Sequence, residues 1–127
     1  MPAIVAAYAF ALATAVAVLF QIALALGAPW GHLAMGGRFP GKFPPAMRVT
    51  ALVQAAVLAL LAVTVAIKAR LVLEHFYPVS ETAIWVVVAI SVLSLIMNLV
   101  TPSRGERILW APVALVLALS SLVVALS

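Results

Sequence analysis

The sequence predicts an all-α membrane protein: four transmembrane helices in a compact bundle, with an ordered Gly/Pro-rich loop between the first and second. Three observations carry that expectation. Apolar residues make up 68% of the 127-residue chain and charged residues only 8%, against about a quarter charged in soluble domains, so no polar exterior is available for a water-soluble fold. Four apolar runs, about residues 3–26, 49–67, 83–100 and 106–126, have the length that crosses a ~30 Å hydrocarbon core at ~1.5 Å per helical residue. Trp30, Trp85 and Trp110 fall near run ends, where an interfacial aromatic belt places them. A β-barrel is excluded because no alternating polar face is present to line a lumen. The whole chain, 1–127, reads as a single four-helix transmembrane domain.

The first run, Ala3 to Leu26, reads as a span and not a signal peptide, since no Lys or Arg precedes it and it exceeds the usual apolar core of a leader. It contains no acidic residue, which argues against proton-coupled cation export through a first-helix carboxylate. The second helix is expected to begin at Pro44 or Pro45, since proline suits a first turn. It is expected to run past Lys68 and Arg70, placing Arg70 and Glu74 at i,i+4 spacing. Ser80, Glu81 and Thr82 precede the third run and read as its N-terminal cap. Ser103 and Glu106 have capping-box spacing, so the fourth helix should start outside the hydrocarbon and carry Pro112 inside it as a kink.

Between the first two runs lies "GAPWGHLAMGGRFPGKFPPAM", Gly27 to Met47, with five of the six glycines and four of the eight prolines. Trp30, Phe39 and Phe43 are candidate apolar anchors, the prolines reduce the entropy lost on ordering and the glycines permit tight turns. The segment is therefore expected to fold back over the helix ends as a lid. Arg38, Lys42 and Arg48 lie in or beside it, and Arg104 and Arg107 in the third loop, against Lys68 and Arg70 at the second. The excess places loops one and three in the cytoplasm and both termini outside, in a multi-pass protein of the cell (inner) membrane.

Polar groups inside the spans each require a partner. Gln21, Gln54 and Asn98 lie at similar depth below the face bearing loops one and three. Ser91, Ser94 and Asn98 share one stripe of the third helix. The three amides either join helices by hydrogen bonds or line a polar site roofed by loop one. His32, Arg38, Lys42, Arg104, Glu106 and Arg107 are the remaining candidates for a ligand or anionic headgroup, because arginine's fork suits phosphate. Clustered cations there would also seek Glu106 as a direct partner. Alanines at 3, 7, 11 and 15, and at 51, 55 and 59, form small-residue ridges suited to close packing with a neighbouring helix.

Other chemistries find little support. The chain has no cysteine and no aspartate, which removes thiolate catalysis, disulfides and cysteine-ligated metals. His32 and His75 fall on opposite faces, so no metal site is expected, and no cofactor. The loop-two group Glu74, His75, Tyr77, Ser80 and Glu81 reads as a solvated turn, so no catalytic residue is assigned. No basic helix face or aromatic-basic platform points to nucleic acid. The expected partners are membrane lipids with anionic headgroups, a second copy of the chain or a larger membrane complex.

The stretches "GAPWGHLAMGGRFPGKFPPAMR" and "TPSRGERILWAPVALVLALSSLVVAL" resemble a group of small bacterial four-span membrane proteins of unknown function. That resemblance implies the architecture and a bacterial cell membrane, and carries no activity. The leading functional expectation is a non-enzymatic protein acting by helix packing with itself, lipid or a larger complex. The alternatives are a small-solute carrier or channel subunit with a polar site under loops one and three, and an enzyme acting on lipid headgroups.

Overall fold

The computed structural model describes residues 2–127. Four helices span it: α1 (Pro2–Ala25), α2 (Pro45–Lys68), α3 (Tyr77–Val100) and α4 (Arg104–Ala125). Each is long and apolar enough to cross a membrane. Leucines such as Leu12, Leu19, Leu52 and Leu60 point outward on the bundle surface. So much exposed apolar surface suits a bilayer and would aggregate in water, and the chain is a multi-pass membrane protein.

α1 packs against α2 and α4, and α3 against α4 and α2, with α2 touching α4 across the diagonal. The helices thus run up, down, up, down in a ring, and loop one shares an end with the α3–α4 turn. α4 is the innermost helix, with more buried residues than any of the other three, and Glu106 of its first turn is held inside the bundle.

Two clusters form the core. Phe10, Val65, Ile84, Val87 and Val124 fill the end nearest loop two. Leu24, Ala34, Phe43 and Ala51 fill the other end, with Phe20, Phe39 and Met47 packed around them. Ala34 and Phe43 come from loop one, so that loop supplies part of the core instead of merely joining two helices.

Several local expectations change. α2 begins with Pro45 in its first turn, as proline chemistry favours, but ends at Lys68. Arg70 has φ 62°, outside the helix, and its guanidinium lies 4.0 Å from the centre of the Tyr77 ring instead of over Glu74. α3 starts at Tyr77 after the short turn Glu74–Phe76, with Pro78 in its first turn. Ser80 is therefore inside α3, buried and donating to the Tyr77 carbonyl at 2.7 Å, and is not a cap. A proline in the first turn lacks only an N–H that has no helical partner there, so the helix can begin upstream of the polar triplet.

At α4 the Ser103 Oγ accepts the Glu106 N–H at 3.2 Å, and the helix continues through Pro112. The reciprocal half of the capping box is absent: the Ser103 N–H donates to Thr101 Oγ1, which frees the Glu106 carboxylate. Of the first alanine ridge, Ala7 is buried while Ala11 and Ala15 are exposed; of the second, Ala51 and Ala55 are buried and Ala59 is exposed. On α1 the buried stripe runs instead through Ala6, Phe10, Thr14 and Ala17.

Candidate functional site: a cleft beneath loop one

Loop one reaches the site through its backbone. Gly31 donates to the Gly41 carbonyl at 2.9 Å, pinning the two arms of the loop together. Glycine is required at 31 because a Cβ there would run into the Phe39 carbonyl oxygen. The chain then makes two short turns, Gly31–Leu33 and Met35–Gly37. Gly36 at the second has φ 68°, the left-handed region, and its N–H is delivered to Glu106 Oε2 at 2.9 Å.

Two further bonds tie this loop to the start of α4: Ser103 Oγ donates to the His32 carbonyl at 2.7 Å, and Trp110 Nε1 donates to the Leu33 carbonyl at 3.0 Å. With the Gly36–Glu106 bond they satisfy two loop carbonyls and an N–H that would otherwise lie unpaired. Trp110 also packs edge-on against Phe20 of α1, centroids 4.7 Å apart.

Beneath this roof lies a cleft of about 480 Å³. All four helices and loop one line it. Its polar walls are Gln21 of α1, Gln54 of α2, Ser94 and Asn98 of α3, and Glu106 of α4; the rest is apolar, including Phe20, Met97 and the Trp110 ring. The three amides expected at one depth thus face one space. They do not bond to each other among the described residues. Asn98 Nδ2 turns back to its own helix, donating to the Ser94 carbonyl at 2.7 Å and Ser94 Oγ at 3.3 Å. Gln21 Oε1 is buried with no hydrogen-bond partner. Interhelical amide bonding, the simpler expectation for these residues, is therefore not what their geometry provides.

Glu106 is buried at 8% exposure, where the sequence suggested a helix cap and a headgroup-site partner of the nearby cations. The cations expected beside it are elsewhere. Arg38, Lys42, Arg104 and Arg107 are exposed, as is His32. Arg107 donates to the Thr101 carbonyl at 3.2 Å, and Arg48 to the Phe43 carbonyl at 2.9 Å, both bracing the turns. Among the nine candidate residues, Gln21, Gln54, Asn98 and Glu106 line the cleft; His32, Arg38, Lys42, Arg104 and Arg107 do not. Ser94, Met97 and Trp110 join the site without having been candidates. Ser94 and Trp110 had sequence signals, a shared helix stripe and an interfacial position, whereas Met97 had none.

Across the bundle, buried Lys68 donates to the Val124 carbonyl at 3.4 Å and the Ser127 carbonyl at 3.0 Å, fastening α2 to the last turn of α4. In loop two, His75 packs edge-on against Phe76. No protein-family model matches the chain, and neither curated proteins nor solved structures give a match.

Proposed function

We propose that the protein is a small-solute-binding membrane protein, a carrier or channel subunit, whose site is the cleft beneath loop one. The carrying observation is that five polar side chains from four helices face one space of about 480 Å³ without bonding across it. That volume falls among small-molecule sites, which combine mostly apolar walls with a few convergent polar groups. An intramembrane polar group without a protein partner is costly, and a solute would supply the missing partners. This reading takes precedence over pure helix packing, which the open cleft does not serve. The exposed Ala11 and Ala15 still favour contact with a second copy of the chain as a secondary role. A headgroup enzyme finds less support, since the candidate cations lie outside the cleft.

The cation excess supports loops one and three in the cytoplasm of a bacterial cell, which would put the roofed end of the site on the cytoplasmic side. The test of the solute reading is the native mass of the protein in mild detergent, wild type against a Gln54→Leu, Asn98→Leu pair. The expected result is a bound small molecule on the wild type that is absent from a still cooperatively melting double variant. An identical retained ligand on both proteins would place binding elsewhere and remove the proposal's basis.

A further inference from the structure

We infer that the cleft takes an organic ammonium, a primary or quaternary amine carried on an apolar body, with Glu106 as its counter-charge. This deepens the solute-binding reading and rests on it. Glu106 is the one ionisable side chain among the residues lining the cleft. Among the described residues its carboxylate has one partner, the Gly36 N–H on Oε2, and a carboxylate offers about four lone-pair sites. Acceptor capacity is therefore left over on a buried carboxyl group.

The neighbouring groups add to that imbalance. Asn98 spends its amino group on its own helix, which leaves its carbonyl oxygen as the group to offer. Gln21 Oε1 is buried and lacks a donor. Trp110 has already given its N–H to Leu33, so a ligand meets its ring, and with Phe20 it makes an aromatic wall. The electron-rich faces of such rings attract cations, tryptophan most strongly. Every one of these features favours a donor or a positive charge. An anion would face a buried carboxylate with no Lys, Arg or His in the lining.

The shape of the opening indicates what the ammonium is attached to. Five lining residues are also exposed: Met35 in loop one and, between two helices, Val57 on α2 and Ile90, Leu93 and Met97 on α3. α2 and α3 are the least closely packed pair of sequential helices. The cleft therefore opens sideways between them, toward the bilayer, onto an apolar sill. An amphipathic molecule fits that path with its charge inward and its apolar portion across the sill. The ammonium of a phospholipid headgroup and that of a free amphipathic amine share this chemistry.

The test compares two probes of one shape, 2-phenylethylammonium, which carries both the charge and N–H donors, and its neutral carbon counterpart propylbenzene. Binding is read from Trp110 emission in the full-length protein carrying Trp30→Phe and Trp85→Phe, both at outer, half-exposed positions. The ammonium should bind at least about tenfold more tightly than the neutral probe, the size expected for one charge-assisted contact. Glu106→Gln keeps an acceptor for Gly36 and should abolish that difference. If Glu106→Gln fails to fold, the two-probe comparison on the parent protein decides alone. Equal affinities there, or preferential binding of Ca²⁺ over the ammonium, would overturn the inference and leave a cleft for some other solute. Failure of both probes to bind, with no change in melting temperature, would overturn it together with the solute-binding reading. Reconstitution in phosphatidylglycerol vesicles with and without phosphatidylethanolamine then identifies the source. Competition by the ethanolamine lipid supports a lipid ammonium, and unchanged probe affinity supports a free amine.

Discussion

Glu106 and Gly31 are where single atoms decide the architecture of the site. The Glu106 carboxylate holds the roof by accepting the Gly36 N–H. Its truncation in Glu106→Ala leaves that donor unpaired and should cost about 1–3 kcal/mol, the range for a buried donor left unsatisfied. Glu106→Gln keeps the acceptor and should melt close to the wild type; a thermal melt of both variants checks the contrast. At Gly31 an added Cβ meets the Phe39 carbonyl, which is backbone and cannot step aside. Gly31→Ala should therefore destabilise the fold by at least about 2 kcal/mol, as overpacking does. At Gly105 the Cβ would meet only the Leu33 Cδ2 at 2.7 Å, the end of a flexible side chain. Alanine's helix propensity offsets that, so Gly105→Ala should stay within about 1 kcal/mol of the wild type. Equal losses at the two glycines would mean that loop one is not seated as described.

At the scale of elements, α4 is fastened at both ends: Ser103, Glu106 and Trp110 hold loop one at its start, and Lys68 holds its last turn. Lys68→Met keeps the apolar stem but removes the donor from the Val124 and Ser127 carbonyls. It should lower stability by about 1–2 kcal/mol and raise amide exchange in the C-terminal ends of α2 and α4, with the loop-one end unaffected. Uniform exchange along both helices would contradict a local fastening. The four helices were legible in the sequence because each apolar run has membrane length, and Pro45 and Ser103 mark two starts by ordinary terminal chemistry. The start of α3 was not legible, because Ser80-Glu81-Thr82 has cap composition while Pro78 upstream is equally at home in a first turn. The depth of Gln21, Gln54 and Asn98 could be counted from helical rise. The inward turn of Glu106 could not, since its spacing from Ser103 fits a capping box and its actual partner is a backbone N–H seventy positions away. The outward placement of Arg38, Lys42, Arg104 and Arg107 was likewise hidden, because sequence proximity to the site says nothing of side-chain direction.

For the whole molecule, the ring of four helices encloses a space that is polar near one membrane face and sealed by packing toward the other. Orientation is tested by single cysteines at Gly41 and His75, both outside the helices, in this cysteine-free chain. In intact cells an impermeant thiol reagent should label the cysteine at 75, and the one at 41 only after permeabilisation; the reverse pattern would invert the protein. The claim that the bundle holds an open cleft and not a closed packing core is tested most directly by cysteine accessibility within α3. Ser94 lines the cleft, whereas Ser91, one turn deeper, is buried at 2% exposure, and serine to cysteine changes little in size. With a small water-soluble thiol reagent on the folded protein, Ser94→Cys should react at least about tenfold faster than Ser91→Cys, because thiol reactivity follows access. Equally slow modification at both positions would contradict the cleft.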